Sequence, residues 1–122
     1  MTVTVNGTNG ITFNNNSTQS KGGVAAASQV WNNVASSRAL STTYTNSNTY
    51  PIMVNVCVNG GGNLTVQGQM QVSGVTVAYG LQAVGGNQGT TTYIPLSAIV
   101  PSGATYIVTG TNVSIYTWAE LY

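Results

Sequence analysis

Between residues 52 and 79 apolar and polar side chains alternate with a period of two. Ile52, Val54, Val56 and Val58 fall on one side of an extended chain and Met53, Asn55 and Cys57 on the other, and the run ends at glycines 60–62. Leu64, Val66, Met70 and Val72 then alternate with Thr65, Gln67, Gln69 and Gln71, so one face is apolar and the other is a ladder of amides. Gly68 interrupts this strand and predicts a bulge or a close backbone approach. Ser73-Gly74 predicts a tight turn, after which Val75 to Tyr79 returns antiparallel. Residues 80–89 (GLQAVGGNQG) read as a Gly-rich loop. Pro95 confines the next strand, 91–100, to a sheet edge or a bulge. Pro101-Ser102-Gly103 predicts a turn into a return strand over 104–109, and residues 110–112 turn again. The last strand, 113–121, reads with Val113 and Ile115 on one face and Tyr116 and Trp118 on the other.

Helix signals are sparse. Ala density rises only over residues 24–40, where Asn32, Asn33, Ser36 and Ser37 dilute it to a turn or two at most. Residues 1–35 are short of apolar side chains and punctuated by Asn and Gly. The pattern therefore predicts an antiparallel β-sandwich, jelly-roll-like, over residues 36–122, preceded by a short extended N-terminal arm over residues 1–35 that attaches to a partner.

Composition changes this picture in one respect. The 122 residues hold one Lys, one Arg, one Glu, no Asp and no His, so 2% are charged against roughly a quarter in an ordinary domain. Near-neutral surfaces favour association. At 42% hydrophobic and with regular alternation, the chain is nonetheless a folded one rather than a disordered one. The start MTVTVNG is not a secretory signal, and no apolar stretch reaches the roughly 20 residues of a membrane helix, so the expectation is synthesis in a cytoplasm and no membrane insertion.

The same inventory excludes most chemistry. Without His and with Glu120 as the lone carboxylate, paired-carboxylate hydrolysis, His-dependent triads and Cys-His dyads have no parts. No transition-metal site can be assembled, and no cofactor is expected. The stretches NGGGN and VGGNQG lack the Lys and the following helix of a phosphate loop, and two cations cannot make a nucleic-acid footprint. Cys57, in the run VNVCV, reads as a small packed thiol. Arg38 and Glu120 stand beside Leu40 and Trp118 and are expected to meet as a structural ion pair, since a partly buried charge needs a partner. The uncharged loops 59–63 and 80–90, with Asn59, Asn63, Gln82, Asn87 and Gln88, would suit the hydroxyls of a carbohydrate. Some strand tyrosines would stack on its rings.

Two stretches carry a family resemblance. Ile11-Thr12-Phe13 followed by Thr18-Gln19-Ser20 resembles a phrase of bacteriophage tail fibres in which Ile-Thr-Phe precedes Pro-Asp-Gly-Thr and then Thr-Gln; here Asn14, Asn15 and Asn16 replace Pro-Asp-Gly. Asn tolerates left-handed backbone and suits such a turn. The second covers most of the chain. Arg38-Ala39-Leu40, Thr43-Tyr44-Thr45-Asn46, Pro51-Ile52-Met53-Val54, Val100-Pro101-Ser102-Gly103-Ala104 and Trp118-Ala119-Glu120-Leu121 resemble the small β-sandwich at the end of many tail fibres and related virion proteins.

That resemblance implies a homotrimer on the particle, assembled in the bacterial host cytoplasm, in contact with other virion proteins of the tail or capsid and with a host-surface glycan or protein. Ile11 and Phe13 would belong to the attaching arm. Tail fibres carry a long shaft, whereas only about 35 residues precede the sandwich here, so a fragment, a very short fibre and a capsid cement or decoration protein are all expected readings. A free lectin-like module comes third.

Overall fold

The structure, a computed structural model, describes residues 4–6, 10–12, 18–19, 28–62, 64–83 and 89–122. Near the start, β1 (Thr4–Asn6), β2 (Gly10–Thr12) and β3 (Thr18–Gln19) pair antiparallel in that order, with Val5 opposite Ile11 and Ile11 opposite Gln19. The expected Asn14 to Asn16 turn lies outside the described residues.

The remaining strands are β4 (Trp31–Asn33), β5 (Thr43–Thr45), β6 (Ile52–Gly60), β7 (Val66–Val72), β8 (Val75–Gln82), β9 (Thr92–Val100), β10 (Thr105–Thr111) and β11 (Ser114–Leu121). They form two antiparallel four-stranded sheets, β4-β11-β6-β9 and β5-β10-β7-β8. The pairs are nested. β7 pairs with β8, β6 with β9, β5 with β10 and β4 with β11, as if one ribbon were folded at Ser73-Gly74 and wrapped around itself. This order is that of a jelly roll. The fold point has positive φ at both Ser73 (49°) and Gly74 (81°), the geometry of a tight hairpin turn.

The nesting corrects the expected return strand after Pro101. β9 and β10 lie in different sheets, so residues 101–104 form a corner rather than a hairpin. A buried side chain that composition did not single out builds it. Asn46 donates through Nδ2 to the carbonyls of Tyr50 (2.9 Å), Val100 (3.0 Å) and Pro101 (3.2 Å), and its own backbone bonds Ala104 and Gly103.

The core lies between the inner faces. Ile52, Val54, Val56 and Val58 of β6 face Val66 and Met70 of β7 and Tyr106 and Val108 of β10, with Leu96, Val100 and Trp118 closing around them. Each such side chain, fully buried, stabilises by about 1.5–3 kcal/mol. β11 departs from simple alternation. Ile115 is opposite Val58 and Thr117 is opposite Cys57, so Tyr116 is an extra residue in a bulge. The bulge shifts the parity, and Ile115 and Trp118 both reach the inner side while Tyr116 is left exposed. Leu64, expected on the apolar face, lies outside β7 and is exposed, because the strand begins only at Val66.

The sandwich also begins earlier than residue 36. β4 pairs with β11 (Asn32 opposite Glu120), Val30 and Tyr122 exchange backbone hydrogen bonds, and Val34 is buried. One 3-10 turn, Ala35–Ser37, follows. As Pro95 requires, β9 is an edge strand.

Glycine aligns across one sheet. Gly110, Gly68 and Gly80 are direct register partners on β10, β7 and β8. A Cβ on Gly68 would stand 2.9 Å from Val58 Cγ2, and one on Gly80 would stand 2.4 Å from Ile94 Cγ2. The opposing sheet therefore fills this layer with its own side chains. Gly68 provides the close approach rather than a bulge; the bulge falls at Val77, between the Met70–Ala78 and Gln71–Thr76 pairs.

Ile94 is branched at Cβ and stiff at χ1, so it cannot yield easily. Gly80→Ala is expected to cost about 1–3 kcal/mol in urea unfolding, and most of that cost should vanish in an Ile94→Ala background. An equal cost in both backgrounds would show that this contact is not the limiting one.

Candidate functional site

Glu120 near the end of β11 is buried and faces inward beside Val54, its register partner. Arg38, on the crossover from β4 to β5, reaches it with both prongs of the guanidinium. Nε lies 2.8 Å from Oε1 and Nη2 lies 2.9 Å from Oε2. The structure thus brings together the two charges that sequence reasoning paired. Tyr106 of β10 donates its hydroxyl to Glu120 Oε1 and accepts from Arg38 Nε at 3.3 Å. The guanidinium carbon sits 4.5 Å from the centroid of the Tyr44 ring, and the Tyr44 hydroxyl accepts from the Ala39 N–H at 2.9 Å. Tyr44, Tyr106 and Trp118 complete an aromatic triangle with centroids 5.7, 6.0 and 6.4 Å apart.

The electrostatics lock this arrangement. Hydrogen bonding to Glu120 pushes the Arg38 guanidinium further up, so it stays charged. Burial, and then the bond to the Glu120 carboxylate, push the Tyr106 phenol well above its usual 10.0. Both Glu120 oxygens are occupied by donors. The carboxylate so engaged holds β11, β10 and the crossover together. Beside the pair lies a polar hollow of about 280 Å³ lined by Arg38, Thr45, Asn46, Asn48, Tyr106 and Glu120 among others.

Among the described residues no group of three His, Cys, Asp or Glu could hold a metal ion. Burial raises the Cys57 thiol, which directs its hydrogen at the Val58 carbonyl 3.8 Å away.

Of the residues expected in outward loops, Asn59 lies within β6, half-buried, opposite Tyr93 and Ser114. The strand runs on to Gly60 because a residue without a side chain lets the Asn112 carbonyl come close; a Cβ there would stand 2.2 Å from it. Gln82 is the exposed last residue of β8 rather than part of a loop. Asn63, Asn87, Gln88 and Phe13 lie outside the described residues, and Ile11 lies in β2.

The strand directions give the sandwich two distinct ends. At one end the chain enters at Val30, beside Tyr122, with the corners at 46–51 and 101–104. At the other end lie Gly61, Gly62 and Thr65 between β6 and β7, with the end of β8 and the start of β9. Two surface features went unseen in the sequence. Near the entry end, Trp31, Leu121, Met53 and Ile99 are register partners across all four strands of one sheet, an apolar row on its outer side, with Trp31 51% and Ile99 57% exposed. Toward the other end, Tyr79 and Tyr93 flank a cleft between the edge strands β8 and β9. Period two places each of these residues on an outer face, but not the neighbour on the next strand. Comparison with protein-family models, with curated proteins and with solved structures gave no match.

Arg38→Met leaves the Glu120 carboxylate buried without its counter-charge, with Tyr106 as its remaining donor, and is expected to cost about 3–5 kcal/mol in urea unfolding. Glu120→Gln should cost less, because the Arg38 side chain is 23% exposed and can turn to water. The double substitution should cost less than the two singles together; strict additivity would refute the pairing.

Tyr106 sets the alkaline limit. A phenol whose pKa is raised by folding contributes stability that is complete below its unfolded value of 10.0 and is lost as pH rises beyond it. One of the seven tyrosines should therefore ionise only as the protein unfolds, and tyrosinate absorbance should lose that late step in Tyr106→Phe.

Proposed function

We propose that this chain is a non-catalytic structural protein of a bacteriophage particle. It is a homotrimer exposed on that particle, tail-fibre-like, held at one end of its jelly roll and presenting the other. The supporting observation is the two-ended layout: the segment before Val30 joins the sandwich beside the apolar row of Trp31, Met53 and Ile99, whereas the exposed tyrosines Tyr79, Tyr93 and Tyr116 lie toward the opposite end. Jelly rolls recur in viral capsid and lectin domains, which suits the reading without assigning it. The resemblance of the 38–54 and 100–121 segments to tail-fibre sandwiches supports it further.

Two physical facts favour assembly. A chain with three charges has little electrostatic repulsion to keep copies apart. An apolar row whose two ends, Trp31 and Ile99, are exposed on the outer face marks a candidate interaction surface. The strands β1 to β3, placed before the entry point, are the segment through which neighbouring virion proteins would be engaged. A lone carboxylate side chain that is buried and fully engaged supports a role in display rather than turnover.

In light scattering the full chain is expected at three times its monomer mass, and Ile99→Asp or Trp31→Ala should dissociate it without unfolding it. A monomeric parent protein would overturn the trimer. A stained gel of purified particles should show few copies per particle; hundreds of copies, with loss of heat resistance on removal, would place the protein on the head shell as a cement protein instead.

A further inference from the structure

We infer that the cleft between the edge strands β8 and β9 is a binding site for a neutral saccharide, with the rings of Tyr79 and Tyr93 as its walls. The site deepens the display reading above, on which it rests for the origin of its ligand, by naming what the presented end takes hold of. The cleft has a volume of about 340 Å³ and is lined by Tyr79, Gly80, Leu81, Gln82, Tyr93 and Pro95 among others. That is near the lower end of the roughly 300–1,000 Å³ typical of small-ligand sites.

Its floor is shallow for a structural reason. Gly80 must lack a side chain because Ile94 of β9 occupies the space where a Cβ would go, so the two strands close up beneath a cleft that Tyr79 and Tyr93 line. Tyr79 and Tyr93 are 55% and 51% exposed, so the core does not account for them. The Tyr93 ring is held in place by Tyr116, edge to face at 4.9 Å, which lowers the entropy lost on binding.

The chemistry selects the ligand. Among the described residues no charged side chain lines the cleft, which leaves no anchor for an ionic group there; Gln82 and Thr92 offer an amide and a hydroxyl. A pyranose matches this lining, with a C–H face for the electron-rich face of an aromatic ring and a rim of hydroxyls for neutral partners. Another β-strand suits it poorly. β8 carries a bulge at Val77 and β9 carries Pro95, both of which hinder strand addition at an edge.

The test is a titration of the full chain with neutral gluco-, galacto-, manno- and N-acetylglucosamine oligosaccharides up to about 10 mM, read by saturation-transfer NMR. At least one should bind. Tyr79→Ala and Tyr93→Ala should each weaken it about tenfold with unchanged melting temperature, while Tyr93→Phe, which keeps the ring, should bind within about twofold of the parent. Absence of binding across the series overturns the site, as does binding that ignores both tyrosines or is lost instead in Asn48→Ala, at the hollow beside Arg38. The two proposals fail separately. Saccharide binding by a protein absent from purified particles refutes the virion role alone, and a particle component that binds none refutes the cleft alone.

Discussion

A single buried carboxylate dictates how one side of this molecule closes. Glu120 points into the sandwich because β11 alternates inward at that position, and a carboxylate taken out of water must be matched by donors. Arg38 and Tyr106 supply all of them, and Arg38 can do so only if the crossover from β4 to β5 lies across the gap between the two sheets. The backbone bonds from Val34 to Trp118 and from Ser41 to Val108 follow the same path. Four strands are thus tied by the only carboxylate the chain has. A protein otherwise almost free of charge has spent its ionic pair on holding its own edge shut.

The opposite side closes by a different device. There the glycines Gly68 and Gly80 remove side chains from neighbouring strands of one sheet, and Val58, Ile94 and Leu96 fill the layer from the other. No hydrogen-bonded side chain is needed, because shape alone brings β8 onto β9. Among the described residues no strand pairs onto these two edges, which carry a bulge on one and a proline on the other in place of the charges that most proteins put there. One side of the sandwich is therefore sealed by electrostatics and the other is left as an aromatic-walled groove.

What the sequence makes legible follows the range of the interactions. β6 and β7 are plain from alternation, the turn at Ser73-Gly74 from its residues, and the edge position of β9 from Pro95. The pairing of Arg38 with Glu120 could be reasoned out because so few charges exist to be matched. β4 escaped because three residues cannot display a period, and Asn46 escaped because an asparagine in an Asn-rich chain carries no mark of burial. The bulge at Tyr116 is a parity change that only a partner strand reveals. Asn59 reads as a loop residue because glycines follow it, whereas Gly60 extends the strand. The cleft and the apolar row are cross-strand alignments, which a linear pattern cannot encode until the nesting is known.

The nested ribbon also orders events in time. β7 and β8 are joined by two residues and can zip early, while β4 and β11 lie far apart in sequence and close the longest loop of the nest. Loop closure over such distances is slow, so the outermost pair is the natural last step of folding. The segment ahead of β4 is then anchored only once the body is complete. A subunit that reaches its neighbours through that segment would dock as a finished domain, and half-made chains would be kept out of the assembly.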